Sequence, residues 1–205
     1  LVGKDGATHQ GIFDLSYLSS IPNLTVMAPK NKWELSDMLK YAIAAEEPVA
    51  IRYPRGEACD LWKDQRAPIQ KGCAEALAEG TEVALFAIGS MVETAWQVRK
   101  KLAEKGIPTT VVNARFAMPL DKNCLRKLAE SHPLLVTMEE NVASGGFGEH
   151  VAAFLEEEAL HTKVLRMAIP DCFVEHGSVG ELKKALGLDA DSVTEKILAE
   201  LPEEL

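Results

Sequence analysis

Residues 24–43, LTVMAPKNKWELSDMLKYAI, place a short apolar strand directly before an amphipathic helix. The run at 24–28 predicts a buried strand from its length and its β-branched content. Asn31 is a typical helix N-cap, and Glu34 three residues later predicts a capping box. Apolar side chains then recur at helical spacing, at Leu35, Met38, Leu39, Ala42 and Ile43. This stretch therefore predicts one strand–helix unit.

The same alternation of strand and helix continues along the rest of the chain. Further strands are predicted at 49–53, 83–88, 109–112, 134–138 and 163–169. Helices are predicted at 12–19, after Ser90 with Glu93 completing the cap, near Asp121, at 146–158, and from Ser178 and Asp191 onward. Strands separated by single helices favour parallel pairing with helices on both faces. We therefore predict an α/β fold of three layers around a mostly parallel sheet.

The chain also divides by composition. Periodicity is lost at 54–72, where Pro, Gly, Asp, Lys and Gln accumulate, as is typical of a linker. We expect an incomplete α/β domain at 1–56, a linker at 57–72 and a complete α/β domain at 73–205. The chain opens with Leu1 and without an initiator methionine, so we expect a piece excised from a longer protein.

Charge and cysteine spacing exclude several classes of function. The 205 residues carry 22 basic and 31 acidic side chains, a net charge of -9, which disfavours a nucleic-acid surface. No apolar run approaches the roughly 18–20 residues that a membrane span needs. The cysteines are far apart in sequence, at Cys59, Cys73, Cys124 and Cys172. We expect reduced thiols in a cytoplasmic protein, and no metal site.

The densest polar cluster is KDGATHQG at residues 4–11. Its two glycines allow tight turns and close approach of a ligand. Asp5 lies four residues before His9 and could orient the imidazole for proton transfer near neutral pH. The alternative is a polar turn that caps the helix at 12–19, and the residues alone leave both interpretations open.

A second cluster, RYPRG at 52–56, follows a predicted parallel strand. Ligands of open α/β sheets bind at this edge, and the guanidinium groups of Arg52 and Arg55 match phosphate or carboxylate oxygens. The alternative is a pair of solvated or salt-bridged arginines. A third cluster, Glu139 to Gly148, lacks the GxGxxG spacing, and its glutamates would repel an anion. We expect tight packing of a helix start there.

These strings together resemble a known family. The run GKDGATHQGIFDLSYLSSIPNLTVMAP (3–29) resembles the transketolase group of thiamine-diphosphate enzymes and, within it, the 1-deoxy-D-xylulose-5-phosphate synthase family. The resemblance continues in order through PVAIRYPRG (48–56), EVALFAIGSMV (82–92), TTVVNARFAMPLD (109–121), VTMEEN (136–141), GGFG (145–148) and IPDCFVEHGSVGELKKALGLDA (169–190). It implies the tail of a pyrimidine-binding α/β domain followed by a complete transketolase carboxyl-terminal domain.

The resemblance also implies an activity. The full enzyme would condense pyruvate with D-glyceraldehyde 3-phosphate, with loss of carbon dioxide, using thiamine diphosphate and Mg²⁺ in a homodimer. Asp5 and His9 would face the acceptor and assist proton transfer. Arg55 would bind the acceptor phosphate, and Arg52 would bind substrate or only support the strand end.

Several expectations follow from what the chain lacks. The GDG segment with which the group holds magnesium diphosphate is absent. We therefore expect no tight cofactor binding, no cofactor or metal ligand, and no activity from this chain alone. The alternatives are transketolase, the beta chain of a 2-oxoacid dehydrogenase, and a non-catalytic split subunit or dimerisation module.

Overall fold

Two β-sheets organise the chain, and the computed structural model describes residues 1–202. The smaller sheet has the order β2-β1-β6 and the larger the order β3-β5-β4-β7-β8. The strands are β1 (Thr25–Met27), β2 (Val49–Ile51), β3 (Glu75–Ala78), β4 (Val83–Ala87), β5 (Thr109–Asn113), β6 (Phe116–Met118), β7 (Leu134–Val142) and β8 (Lys163–Ile169). The helices are α1 (Asp14–Ser19), α2 (Lys32–Ala44), α3 (Met91–Ala103), α4 (Lys122–Ser131), α5 (Phe147–Glu157), α6 (Val179–Ala185) and α7 (Ala190–Glu200).

The pairing confirms the predicted mixed α/β architecture with mostly parallel strands. Strand β4 lies between β5 and β7 and is parallel to both, β7 is parallel to β8, and β1 is parallel to β2. The sequence did not predict β3 and β6, which pair antiparallel with β5 and β1. Both are only three or four residues long, so tertiary pairing rather than an apolar run defines them.

Every residue of the central strand β4 is buried, and successive residues belong to cores on opposite faces of the larger sheet. In β4, Val83, Leu85 and Ala87 belong to the core that contains Val98 of α3 and Ile197 of α7. Their neighbours Ala84 and Phe86 belong to the opposite core, with Leu125 of α4 and Phe147 of α5. This alternation follows from the two-residue period of a strand, and it confirms the expected helices on both faces.

Strand β6 connects the two sheets directly. The chain leaves β5 at Asn113 and, after only Ala114 and Arg115, enters the smaller sheet as β6. The carbonyl of Arg115 accepts a hydrogen bond from Ala28 N at 2.9 Å. Arg115 reaches this turn with a φ of 61°, in the left-handed region. The smaller sheet is therefore completed by residues from beyond the expected linker, and the predicted domain bounds stay a prediction.

The predicted helix caps hold in part. Asn31 and Asp121 accept hydrogen bonds from Glu34 N and Cys124 N, and Ser178 forms a full capping box with Glu181. Ser90 precedes α3 as predicted, but its hydroxyl donates to Glu140 instead of capping the helix. The box expected at Asn31 is also incomplete, because the Glu34 carboxylate binds Lys30 N rather than Asn31 N.

Glu34 has this other role because it belongs to a buried ionic cluster. Lys30 and Arg115 face Glu34 and Glu75, and all four side chains are at most 5% exposed. Arg115 Nε lies 2.8 Å from Glu34, and its Nη atoms donate to the carbonyls of Ala67 and Pro68. Burial alone would raise the pKa of Glu75, but Lys30 and Arg115 outweigh it and hold that pKa below its usual range. The cluster therefore joins α2 and β3 to the β1–α2 connection, the β5–β6 connection and residues 67–68.

Removal of Arg115 should leave two buried carboxylates, Glu34 and Glu75, with Lys30 as their single cation among residues 1–202. We expect Arg115→Met to lower the free energy of unfolding by about 3–5 kcal/mol, as measured by urea denaturation. Methionine keeps an unbranched side chain at the left-handed backbone position.

The matched control is Arg126→Met, since Arg126 forms an exposed pair with Glu158. Exposed ion pairs contribute little, so this variant should stay close to wild type. Equal losses from both substitutions would contradict the role of the buried cluster.

Candidate active site

The two polar clusters singled out in the sequence meet at one edge of the fold. Residues 4–11 and 52–56 lie beside the carboxyl ends of β4 and β7, where Arg52 contacts Gly11 and Glu140. A cavity of about 650 Å³ opens at this edge. Its lining includes Lys30 and Arg55, which follow β1 and β2 of the smaller sheet. It also includes Ser90 before α3, Glu140 of β7 and Lys183 of α6.

Residues 4–11, which we call the front loop, do not make the contact expected between Asp5 and His9. The Asp5 carboxylate pairs instead with the guanidinium of Arg55. The Nδ1 atom of His9 lies 2.9 Å from the Thr8 hydroxyl. The expectation that Asp5 orients His9 is therefore wrong in this structure, because the arginine of the second cluster takes the carboxylate.

The two arginines of RYPRG have different surroundings. The Arg55 side chain is 67% exposed, so its guanidinium can reach a ligand from solvent. Arg52 is largely buried, and its Nη2 atom donates to the carbonyls of Gly11 at 3.1 Å and Glu140 at 2.8 Å. These contacts favour the second alternative for Arg52, a support of the strand end that joins the front loop to β7.

Glu139 holds the start of α5. Its two carboxylate oxygens accept from Phe147 N at 2.8 Å and Gly148 N at 2.7 Å. A Cβ atom at Gly148 would lie 2.4 Å from the Thr137 hydroxyl, so only glycine allows this approach. These contacts agree with the tight packing expected at 139–148. Burial raises the pKa of Glu139 to about 7, although the two backbone N–H groups favour the carboxylate.

The next two residues of β7 hold other parts of the site. Burial raises the pKa of Glu140, whereas the ammonium group of Lys183, 2.8 Å from the carboxylate, lowers it. Asn141 accepts from Leu15 N at 3.0 Å and donates to the Ser16 hydroxyl, which fixes the first turn of α1. These contacts were not predicted from the sequence. The pattern that could have indicated them is three polar residues in a row at the end of an apolar strand.

Gln10 is a further residue that sequence reasoning did not single out. Its side chain is nearly buried and bonds to the backbone of Val2, Gly3 and Glu175. An amide side chain within a polar motif looks the same in the sequence whether it bonds to the backbone in this way or is solvated.

The described residues offer no magnesium site. Within residues 1–202, no three His, Cys, Asp or Glu side chains are grouped so that they could hold a metal ion. The four cysteines are free thiols, and burial raises the pKa of Cys124 to about 12. Over the same residues, no helix is both long and apolar enough to cross a bilayer.

Comparison with protein families matches residues 72–193 to the transketolase C-terminal domain and residues 1–60 to the transketolase pyrimidine-binding domain. The chain is 54% identical over 198 residues to 1-deoxy-D-xylulose-5-phosphate synthase of Lachnoclostridium phytofermentans, covering 96% of this chain and 32% of the relative. It is 46% identical to 1-deoxy-D-xylulose-5-phosphate synthase 1 of Geobacter sulfurreducens, covering 97% and 32%. The chain thus spans about a third of the length of these relatives.

Solved structures have the same fold. An inactive beta4 tetramer of a split-gene transketolase superposes with a TM-score of 0.86 at 29% identity, covering 94% of this chain and 62% of the other. The transketolase of Campylobacter jejuni superposes with a TM-score of 0.72 at 22% identity, covering 96% and 29%. The second likeness supports the fold alone.

The raised pKa of Glu139 predicts a pH-dependent stability. Between pH 4.5 and 7 the unfolded chain releases a proton that the folded chain keeps, so the free energy of unfolding falls as the pH rises. Relative to Glu139→Gln, the wild type should lose about 3 kcal/mol across this window and nothing further above pH 8. Urea denaturation at several pH values measures it, and a pH-independent difference would contradict the assignment.

Proposed function

The chain belongs to the transketolase family, and we propose that it forms the carboxyl-terminal part of a 1-deoxy-D-xylulose-5-phosphate synthase. The identity of 54% to such a synthase, over nearly the whole chain, is the observation that carries this proposal. The complete enzyme would condense pyruvate with D-glyceraldehyde 3-phosphate and release carbon dioxide. Its product would supply the non-mevalonate route to isoprenoid precursors, and also thiamine and pyridoxal synthesis.

Within that reaction we assign this chain the acceptor side. The exposed guanidinium of Arg55 can form paired hydrogen bonds to the phosphate of glyceraldehyde 3-phosphate. We expect it to leave Asp5 on doing so, because the Asp5 carboxylate pairs with Nη1 and would repel a phosphate bound to the same guanidinium. Phosphate binding would thereby free the Asp5 carboxylate. Arg52 would act through the backbone, by holding Gly11 and β7 together.

Proton transfer would be the second task of the front loop. When the acceptor carbon forms its new bond, the aldehyde oxygen becomes a hydroxyl and needs one proton. We assign the donation of this proton to His9, while the freed Asp5 carboxylate would accept a hydrogen bond from the acceptor and so orient it. An imidazole suits it because its ordinary pKa lies near neutral pH.

The residues present do not fit a magnesium diphosphate site, since the described chain offers no group of metal ligands. The cofactor, thiamine diphosphate with Mg²⁺, would therefore be bound elsewhere in the enzyme. That this chain alone neither binds the cofactor tightly nor catalyses the reaction stays a prediction. So do the homodimer and the cytoplasmic location.

A second candidate is a subunit of a split enzyme. It is favoured by the likeness to the split-gene transketolase chain, of which this chain covers 62%. A partner chain that carries the GDG segment and co-purifies with this one would favour it. The donor that the assembled enzyme uses, pyruvate or a ketose phosphate, then separates a synthase from a transketolase. If the chain were instead the beta chain of a 2-oxoacid dehydrogenase, it would be found as a subunit of a 2-oxoacid dehydrogenase complex.

The proposal is tested at Arg55 in the full-length enzyme. Arg55→Ala should raise the KM for glyceraldehyde 3-phosphate roughly 30- to 150-fold, the loss of a charge-assisted contact of about 2–3 kcal/mol. The KM for pyruvate should change little. Steady-state kinetics with each substrate varied in turn measures both constants.

Arg126→Ala is the control, since Arg126 forms an exposed pair with Glu158 of α5's C-terminal end. It should leave both constants unchanged. If Arg55→Ala raises both constants equally, Arg55 supports the fold rather than the phosphate. If the wild-type enzyme does not consume pyruvate with glyceraldehyde 3-phosphate, the proposed function is wrong.

A further inference from the structure

We propose that Gln10 is a positioning residue that holds the front loop in its reactive arrangement. It does so by bonding the loop to the segment at residues 175–177, between β8 and α6. This inference rests on the proposed function, because it concerns the loop that carries Asp5 and His9. Gln10 directly follows His9 in the chain, yet it is only 7% exposed. A nearly buried amide needs partners for its polar atoms, so its contacts show what it holds in place.

The Gln10 side chain joins three points of the backbone. Its Oε1 atom accepts from Val2 N at 2.8 Å. Its Nε2 atom donates to Gly3 O at 3.4 Å and to Glu175 O at 3.1 Å. The amide thus links the residues just before the front loop, the end of the loop itself, and a segment some 165 positions away in sequence.

The backbone contacts around this amide are equally close. Gly177 N donates to Gly3 O at 3.4 Å. Gly3 has a φ of 78°, and a Cβ atom there would lie 3.0 Å from Gly177 O, so a larger residue would push the two segments apart. On the other side of the loop, a Cβ atom at Gly6 would lie 3.7 Å from His176 Cβ. Gly3, just before the front loop, and Gly6 and Gln10 within it therefore lie close to residues 175–177.

Within residues 1–202, the described hydrogen bonds of the His9 side chain are confined to Thr8, so the ring is placed by the loop backbone. Arg52 bonds to Gly11, the residue after Gln10, while the Gln10 side chain bonds to Gly3 and Glu175. A small displacement of a reacting group costs up to about 100-fold in rate. Arg55 lies on a different segment, so loss of the Gln10 contacts should affect proton transfer more than phosphate binding.

The test uses Gln10→Glu and Gln10→Met in the full-length enzyme. Glutamate at pH 8 keeps an acceptor for Val2 N but loses both donated bonds, and methionine loses all three. We expect kcat to fall roughly 10- to 100-fold, with glutamate the more severe because its second carboxylate oxygen would face the carbonyls of Gly3 and Glu175. The KM for glyceraldehyde 3-phosphate should change less than about threefold, since the Arg55 contact that sets it is kept. The controls are Gln97→Glu and Gln97→Met, at an exposed glutamine on α3.

Amide hydrogen exchange of residues 2–9, in the same proteins, gives a readout that does not depend on activity. We expect faster exchange there in both Gln10 variants and not in the Gln97 variants. Unchanged exchange, or faster exchange with an unchanged kcat, would overturn the positioning role. A uniform loss of protection across the protein would also overturn it, because Gln10 would then support the whole fold. If the wild-type enzyme is inactive on both substrates, the proposed function is contradicted. In that case the hydrogen-exchange comparison alone would decide whether Gln10 holds the loop.

Discussion

The carboxyl end of β7 is the constraint on which the rest of the site depends. Every residue of this strand is buried, and its last polar side chains each hold a different element. Glu139 binds the start of α5, Glu140 binds Ser90 and Lys183, and Asn141 binds the first turn of α1. Burial of these groups would be costly without partners, but each is hydrogen-bonded, so the strand end fixes its neighbours instead of weakening the core.

The candidate site consequently belongs to both sheets. Arg52 and Arg55 lie in the segment that follows β2 of the smaller sheet, and Arg52 joins the front loop to the end of β7 in the larger sheet. Gln10 joins the same loop to Glu175. The buried ionic cluster around Arg115 adds a second link where β5 passes into β6. The part matched to the transketolase C-terminal domain contains Glu140 and Glu175, whose carbonyls accept from Arg52 and Gln10. Under the proposed function it would therefore help to position the loop that receives the acceptor.

Sequence patterns were sufficient for the elements that periodicity defines. The central strands have continuous apolar runs, and Asn31, Asp121 and Ser178 cap their helices as local rules predict. Local rules did not identify β3 or β6, which exist because a partner strand lies alongside. They also misassigned Ser90, whose partner Glu140 is distant in sequence, and Glu34, which binds Lys30 nearby and Arg115 far along the chain. Both clusters of the site could be recognised because the residues of each are adjacent in sequence. The Asp5–Arg55 pair and the contact between Gln10 and Glu175 join distant parts of the chain, so the sequence did not predict them.

The acceptor site would be tested most directly by a crystal structure of the full-length enzyme with bound glyceraldehyde 3-phosphate. The account predicts phosphate oxygens about 2.7–2.9 Å from the Arg55 guanidinium, as in charge-assisted hydrogen bonds, with the Asp5 carboxylate released from it. The front loop should keep its contacts with Glu175 and β7. A phosphate bound elsewhere, with Asp5 and Arg55 still paired, would contradict the account.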